Sequence, residues 1–373
     1  MNYALIGCGR IANSHIKAAL SNDLNIVGLC DLDIEKAKTL KEESNKKLDT
    51  SANKKIEASC YSDYKEMLQN LKSQERSPSF ITVATESDKH YQIVMDILSQ
   101  GINVVVEKPI ALSLVEADKM ILKAKEMNCL LAVCQQNRFN EVSLLVKKAI
   151  EKGAFGKISH SSVAIRWSRG IDYYEQATWR GKWKSDGGTL MNQDIHGIDL
   201  LCWLNGSKIK TISGHLYNRF HPYLEVEDLG IGNIQFENGS VATIEGTSNL
   251  YKDDLEERIT IIGEKGTVTL GGIVANKVLH YDFEDEEMNK LFSKTESKNY
   301  TSVYGDSHTL VYKNIIESIL EKKKPFISGE DGRSALEIVL AIYKSHKLQK
   351  PITIPLKDFS TKEMIGINLG KQN

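Results

Sequence analysis

Residues 3–12 read Tyr-Ala-Leu-Ile-Gly-Cys-Gly-Arg-Ile-Ala. The apolar run Tyr3–Ile6 predicts a short buried strand, and the periodic residues from Ala12 onward predict a helix. Between them stands the spacing G-x-G-x-x-G/A, in the strand–turn–helix context that gives it meaning. Gly7 makes the tight turn. Gly9 removes a side chain where a pyrophosphate would approach, and Ala12 lets helix and strand pack closely. Arg10 and Ile11 complete the turn, whose N–H groups and helix dipole favour an anion. The next predicted strand, Asn25–Cys30, ends at Asp31, about twenty residues on. A carboxylate there accepts hydrogen bonds from a ribose and repels a 2′-phosphate. No arginine follows within Asp31–Lys38, so the expected cofactor is NAD rather than NADP. Asp31 can also cap the helix predicted over Ile34–Leu40.

The alternation continues. A helix is predicted over Tyr64–Leu71, a strand over Ser79–Ala84 and a helix over Asp88–Gln100. Thr85-Glu86-Ser87 stands at the strand's carboxyl end. Asn103–Val106 is another β-branched run, followed at once by Glu107, Lys108 and Pro109. In open α/β sheets ligands bind at that edge, which puts the Lys108 ammonium at the mouth of a crevice. Pro109 lacks a donor and ends the strand. Ser113 caps a helix to about Asn128, and Cys129–Cys134 reads as the last strand. Residues 1–134 therefore form a doubly wound, parallel α/β domain. Lys41–Ser59 is polar and aperiodic and reads as a surface insertion.

Residues 135–373 change texture. After a helix over Val142–Lys152 come β runs at Ile158–Trp167, Lys208–Asn218, Gly230–Glu237, Val241–Ser248, Arg258–Ile262 and Gly266–Leu270. Asn238-Gly239 is a hairpin signal between two of them. Late helices are predicted at Tyr304–Lys322 and Gly332–Lys347. The expected architecture is a second α/β domain with one large, mostly antiparallel sheet. No linker separates the halves, so the expected site is the crevice between them.

Thr189–Leu204 has helical spacing. Asn192, His196 and Asp199 then share a face. Asp199 is the expected acceptor for one imidazole nitrogen, leaving the other to take a proton. Gly187-Gly188 lets backbone pass close to a ligand. Oxidising a secondary alcohol sends hydride to a nicotinamide and a proton to a base, and a nearby cation stabilises the alkoxide. His196 suits the first role and Lys108 the second, though a desolvated Lys108 could serve as base.

Composition narrows the partners. The 373 residues are 41% hydrophobic and 26% charged, with a net charge of −1. That gives no general attraction to nucleic acid or an anionic membrane, and no apolar run is long enough to span a bilayer. The start of the chain has no basic leader, so a cytoplasmic location is expected. The six cysteines lack metal-ligand spacing and read as reduced thiols, and no metal is expected.

Gly7–Ala12, the Glu107-Lys108-Pro109 tripeptide, Trp179-Arg180 and the Gly187-Gly188…His196…Asp199 pattern together resemble the glucose–fructose oxidoreductase/inositol dehydrogenase (Gfo/Idh/MocA) family across nearly the whole chain. The resemblance implies catalytic roles for Lys108 and His196. It implies cofactor contacts from Thr85, Ser87, His90, Glu107, Lys108, Trp179 and Arg180, and a dimer or tetramer built through the C-terminal sheet. Two departures stand out. Glu86 and Ser87 replace a Pro-Asn pair, and Asn192 replaces an aspartate common four residues before the histidine. The segments Gln136–Asn140, Arg166-Trp167, Asp172–Tyr174 and Met191–His196 resemble a branch that oxidises the 3-hydroxyl of UDP-N-acetylglucosaminuronate, ahead of transamination to a 3-amino sugar. For such a ligand Arg166 suits the carboxylate. Tyr173, Tyr174 and Trp183 suit the sugar face and uracil, and Asn192 and Gln193 suit the hydroxyls and amide. Arg138, Arg169, Lys182 and Lys184 are all available for the phosphates. The alternatives are a dehydrogenase of a free sugar or inositol, and a non-catalytic NAD-binding regulator.

Overall fold

The computed structural model describes residues 1–47, 55–295 and 307–370. They form two compact units: Met1–Ala111 with Glu116–Cys134 and Asp306–Arg333, and Leu112–Val115 with Gln135–Gly305 and Ser334–Asn373.

The first unit opens with β1 (Asn2–Ile6), α1 (Ala12–Ser21), β2 (Asn25–Cys30), α2 (Ile34–Lys47), β3 (Ser59–Tyr61) and α3 (Tyr64–Ser73). It continues with β4 (Phe80–Val83), α4 (His90–Leu98), β5 (Asn103–Val106), α5 (Leu114–Glu126) and β6 (Leu131–Val133). The six strands lie in the order β3-β2-β1-β4-β5-β6, and every pairing is parallel. Phe80–Val83 and Val104–Val106 are wholly buried, as a sheet covered on both faces requires.

Lys41–Ser59 corrects the surface-insertion reading at both ends. Helix α2 runs on to Lys47, and β3 begins at Ser59. The buried stripe Ala37, Leu40 and Ser44 explains the longer helix, because one narrow apolar edge suffices when the rest is solvated. Residues 48–54 of that stretch lie outside the described residues.

The second unit contains α6 (Glu141–Glu151), β7 (Ile158–Arg166), α7 (Ile171–Glu175), α8 (Thr189–Asn192), α9 (Ile195–Asn205), β8 (Ile209–Tyr217), β9 (Leu229–Phe236) and β10 (Val241–Thr247). Then come β11 (Glu256–Gly263), β12 (Gly266–Gly271), β13 (Lys277–Phe283) and α10 (Glu286–Ser293). Late in the chain are α11 (His308–Glu321), α12 (Gly329–Leu348) and β14 (Ile352–Thr353). Eight strands form one sheet in the order β13-β12-β11-β7-β10-β9-β8-β14. Among the described residues, β7 and β10 pair in parallel and the other pairings are antiparallel. Strand residues alternate. Ile165, Ile244, Ile234 and Ile259 are buried beneath helices, while Ala164, Glu245, Asn233 and Arg258 point to the other face. Glycine at 230 and 246 is needed because a Cβ there would enter the Leu190 side chain of α8.

Helix α11 belongs to the first unit, although its sequence lies deep in the second half. It packs along α1. Its Tyr312 hydroxyl lies 2.7 Å from both Tyr3 Oη and Thr82 Oγ1.

Candidate active site

At the carboxyl edge of the first sheet, Gly7 has φ +98°, and a Cβ there would enter the Ala84 carbonyl. Only glycine fits. Cys8 N donates to Asp31 Oδ2 at 2.8 Å, and Asp33 N donates to Asp31 Oδ1 at 3.0 Å. Asp31 thus braces the glycine turn from the end of β2. The N–H capping of α2 falls to Asp33, whose Oδ1 accepts from Glu35 N at 3.2 Å. A Cβ built on Gly9 meets nothing within 4 Å, and the first turn of α1 carries no acid. An open, amide-lined turn leading into a helix whose first turn carries no acid fits a dinucleotide pyrophosphate. Arg10 is exposed and Ile11 half-buried on that turn, and Thr85 is half-buried at the end of β4.

Two residues expected at the cofactor lie beneath the edge instead. His90 is buried, with Nδ1 2.8 Å from Pro109 O and Nε2 3.2 Å from Thr85 O. It ties together the ends of β4 and β5, and burial lowers its pKa. Glu107 is also buried, and its Oε2 accepts from Lys108 N at 3.1 Å. Burial alone would raise its pKa, but the His15 hydrogen bond and the nearby His308 ring hold it well below the ordinary value. Both residues therefore shape the edge from below. Ser87 is likewise buried. Lys108 is half-buried.

In the second unit the expected single helix over Thr189–Leu204 breaks between Asn192 and Ile195. His196 sits in the first turn of α9, and its Nδ1 lies 2.7 Å from Gln135 Oε1. An amide oxygen can only accept, so Nδ1 carries the proton and Nε2 keeps its lone pair. Gln136 Nε2 is 3.5 Å from that nitrogen. The expected partner, Asp199, is used differently. Its two oxygens accept from Arg138 Nε at 2.7 Å and Nη2 at 2.6 Å, in a buried bidentate pair. Gln135 therefore takes the tautomer-fixing role, and Arg138 is withdrawn from phosphate binding. The polar type of Gln135, two residues after β6, was the signal available for this.

Arg166 corrects another expectation. Its guanidinium donates to Glu245 at 2.7 and 2.6 Å and to Glu256 at 2.7 Å. Those hydrogen bonds raise its pKa further. It also points away from α9. Neighbouring Ile165 packs under Gly197 of α9, and successive strand residues face opposite ways. Trp183 is buried against Tyr343, with ring centroids 5.1 Å apart, so it is core rather than a ligand wall.

The remaining expected ligand groups do gather. Gln193 Nε2 donates to Tyr173 Oη at 2.8 Å and to Asn192 Oδ1 at 2.7 Å. Arg180 donates to the Tyr173 hydroxyl and lies over the Tyr173 and Trp179 rings, 4.2 and 4.8 Å from their centroids. Asn192 also donates to Asp186. Arg169 donates to Gln193 Oε1 at 2.8 Å and Asp254 Oδ1 at 2.7 Å, which makes it a brace. Tyr174 packs beside His221 at 5.6 Å, and burial raises its pKa. Lys182 and Lys184 are exposed.

Beneath this cluster lie the buried acids Asp194, Glu227 and Glu257. Glu227 Oε1 accepts from Leu190 N at 3.1 Å and Tyr343 Oη at 2.7 Å. Burial pushes Glu227 and Glu257 up to about 8, and Asp194 well above its ordinary value.

Two family models cover the chain. The oxidoreductase family's NAD-binding Rossmann fold matches residues 1–135, and its C-terminal alpha/beta domain matches residues 147–354. The chain belongs to the Gfo/Idh/MocA oxidoreductase family. Among solved structures of this family, the WlbA dehydrogenase from Bordetella pertussis in complex with NADH and UDP-GlcNAcA is 31% identical, with a TM-score of 0.81 over 95% of this chain and 99% of that one. The WlbA dehydrogenase from Chromobacterium violaceum, in complex with the same two ligands, is 28% identical, with a TM-score of 0.83 over 96% of each chain. The myo-inositol 2-dehydrogenase of Thermotoga maritima is 21% identical over 361 residues, 95% of this chain and 98% of that one. This Gfo/Idh/MocA member is thus an NAD-dependent, sugar-type dehydrogenase with a Rossmann domain and a C-terminal α/β domain. Among the described residues no helix is long and apolar enough to cross a membrane.

Proposed function

We propose that this dehydrogenase oxidises the 3-hydroxyl of UDP-N-acetylglucosaminuronate to the 3-keto sugar. The similarity that carries the reading is the end-to-end match to the WlbA enzyme bound to that sugar. NAD supplies the hydride acceptor. His196 takes the hydroxyl proton at Nε2, because Gln135 holds the proton on Nδ1. The Lys108 ammonium stabilises the alkoxide as it forms. Asn192, replacing an acid, carries no charge, so base duty rests on His196 or Lys108. Tyr173 offers the sugar an aromatic face, Asn192 and Gln193 offer amides, and Trp179 and Arg180 would contact the cofactor, as the family resemblance implies. The open face of the second sheet, where Ile231 and Val241 are exposed, joins two copies.

The test is to mix the chain with NAD and UDP-N-acetylglucosaminuronate and follow NADH absorbance, with a parallel assay coupled to a 2-keto acid. Formation of NADH, or turnover of the coupled acid, is expected. Silence in both assays overturns the substrate reading. The second reading, a free sugar or inositol substrate, draws on the inositol dehydrogenase similarity. It predicts equal or faster turnover without the nucleotide, whereas a UDP-sugar enzyme loses most of its rate.

A further inference from the structure

We propose that His15, Glu107 and His308 form a binding site for a divalent transition-metal ion, best matched by zinc, inside the nucleotide-binding unit. The inference does not depend on which substrate is oxidised or on which residues act on it.

The three residues come from α1, the end of β5 and the start of α11. One ring nitrogen of each histidine and one carboxylate oxygen lie within 4.8 Å of one another, and all three residues are buried. Nε2 of His15 is 3.1 Å, and Nε2 of His308 3.6 Å, from the same atom, Glu107 Oε1. With metal bonds of about 2.0–2.1 Å, the edge of a tetrahedral site is about 3.3–3.4 Å. The two measured separations straddle that value. Two imidazoles and one carboxylate select a transition metal over calcium or magnesium, which demand mostly oxygen ligands.

The surroundings fit the same role. The Tyr312 hydroxyl lies 3.0 Å from His15 Nδ1 and is itself 2.7 Å from Thr82 Oγ1. Such outer partners orient a ligating imidazole. Glu107 uses Oε2 to accept from Lys108 N, so Oε1 is the oxygen that faces both imidazoles. The buried Cys134 thiol lies near the same carboxylate, so a softer group borders the set.

The independent observation is His308. Its residue is 3% exposed, and neither ring nitrogen has a hydrogen-bond partner. A buried imidazole in that state leaves both a donor and an acceptor unmet. A cation on Nε2 answers one of them directly. The ion would fasten α11, which comes from late in the chain, to the sheet edge that carries Lys108. Enclosed on all sides, it would add its binding energy to folding rather than to chemistry.

The full chain, produced in zinc-supplemented medium, is first assayed for metal by elemental mass spectrometry. It is then stripped with chelator and titrated with Co2+ and with Zn2+. About one metal per chain is expected, along with the visible absorbance of tetrahedral cobalt. Saturating zinc should raise Tm by on the order of 5 °C. His308→Ala should weaken uptake at least tenfold. His308→Gln, which keeps most of the volume, repeats the test if the alanine chain does not fold. A wild-type chain that takes up no ion at tenfold excess overturns the proposal, because the cluster then holds only a shared proton. Equal uptake by wild type and a folded His308 variant also overturns it.

Discussion

The two faces of the eight-stranded sheet carry the same residue types in opposite electrical states. On the face covered by α8 and α9, Glu257 of β11 is buried and pushed up to about 8, so it stands protonated at neutral pH. One residue earlier, Glu256 points the other way and accepts from the Arg166 guanidinium at 2.7 Å. Glu245 joins the same guanidinium from β10. Nothing but the strand's alternation separates a neutral acid from an ion-paired one. An arginine, glutamate or asparagine in this chain therefore has no assignable role until its face is known. Residue type alone pointed Arg166 toward a ligand carboxylate; register turns it to the far side.

The comparison can be broken from the covered face first. His196→Ala should lower kcat by about 10²–10⁴-fold, with NAD affinity unchanged in a fluorescence titration. A loss of less than tenfold contradicts its role as base. The next largest effect falls on stability. Asp199→Asn removes the carboxylate charge that faces the buried Arg138 guanidinium, which costs about 3–5 kcal/mol and is read as a lower urea midpoint at constant slope.

The protonated acids predict a pH dependence whose sign follows from their raised pKa. Glu227 and Glu257 bind a proton in the fold at pH values where the unfolded chain has lost it. Their contribution is whole below about 4.5, declines as pH rises, and is gone above about 8. Between those limits each group lowers stability by about 1.4 kcal/mol per pH unit. Glu257→Gln should remove one group's share of that slope in urea titrations at pH 5, 6, 7 and 8. An unchanged slope would mean that Glu257 is ionised in the fold.

The open face sharpens the contrast through smaller effects. Ile231→Glu should shift the chain toward monomer in sedimentation, with its unfolding midpoint little changed. Arg166→Ala should leave KM and kcat within about twofold, because its partners are carboxylates on the far side of the sheet. A large rise in KM would restore Arg166 as a ligand residue.

Much of the first unit was legible because its signals are local. Gly7, Gly9 and Asp31 each do their work within a turn of their own strand, and β5 ends at Val106, three residues before Pro109. What escaped was long-range. Nothing in the sequence near His308 shows that α11 returns to α1 and Glu107, and β3 is three residues long. In the second unit the strand runs and their turns could be read, and so could His196 on a helix. The partner that fixes its tautomer could not, because Gln135 is 61 positions away and Asp199 was the nearer acid on the same helix. The break after Asn192 was equally hidden. Glu227 and Asp194 sustain it from beneath, and buried acids look like surface ones in a sequence.

The most direct test of the central claim is a single-turnover comparison. Wild type, Lys108→Ala, His196→Ala and the double variant are each loaded with NAD and mixed with UDP-N-acetylglucosaminuronate, and NADH is followed. If both side chains act on one alcohol, each single variant should be slow, and the double variant much less impaired than the product of the two losses. Rapid NADH formation by either single variant, or losses that simply multiply, would contradict it.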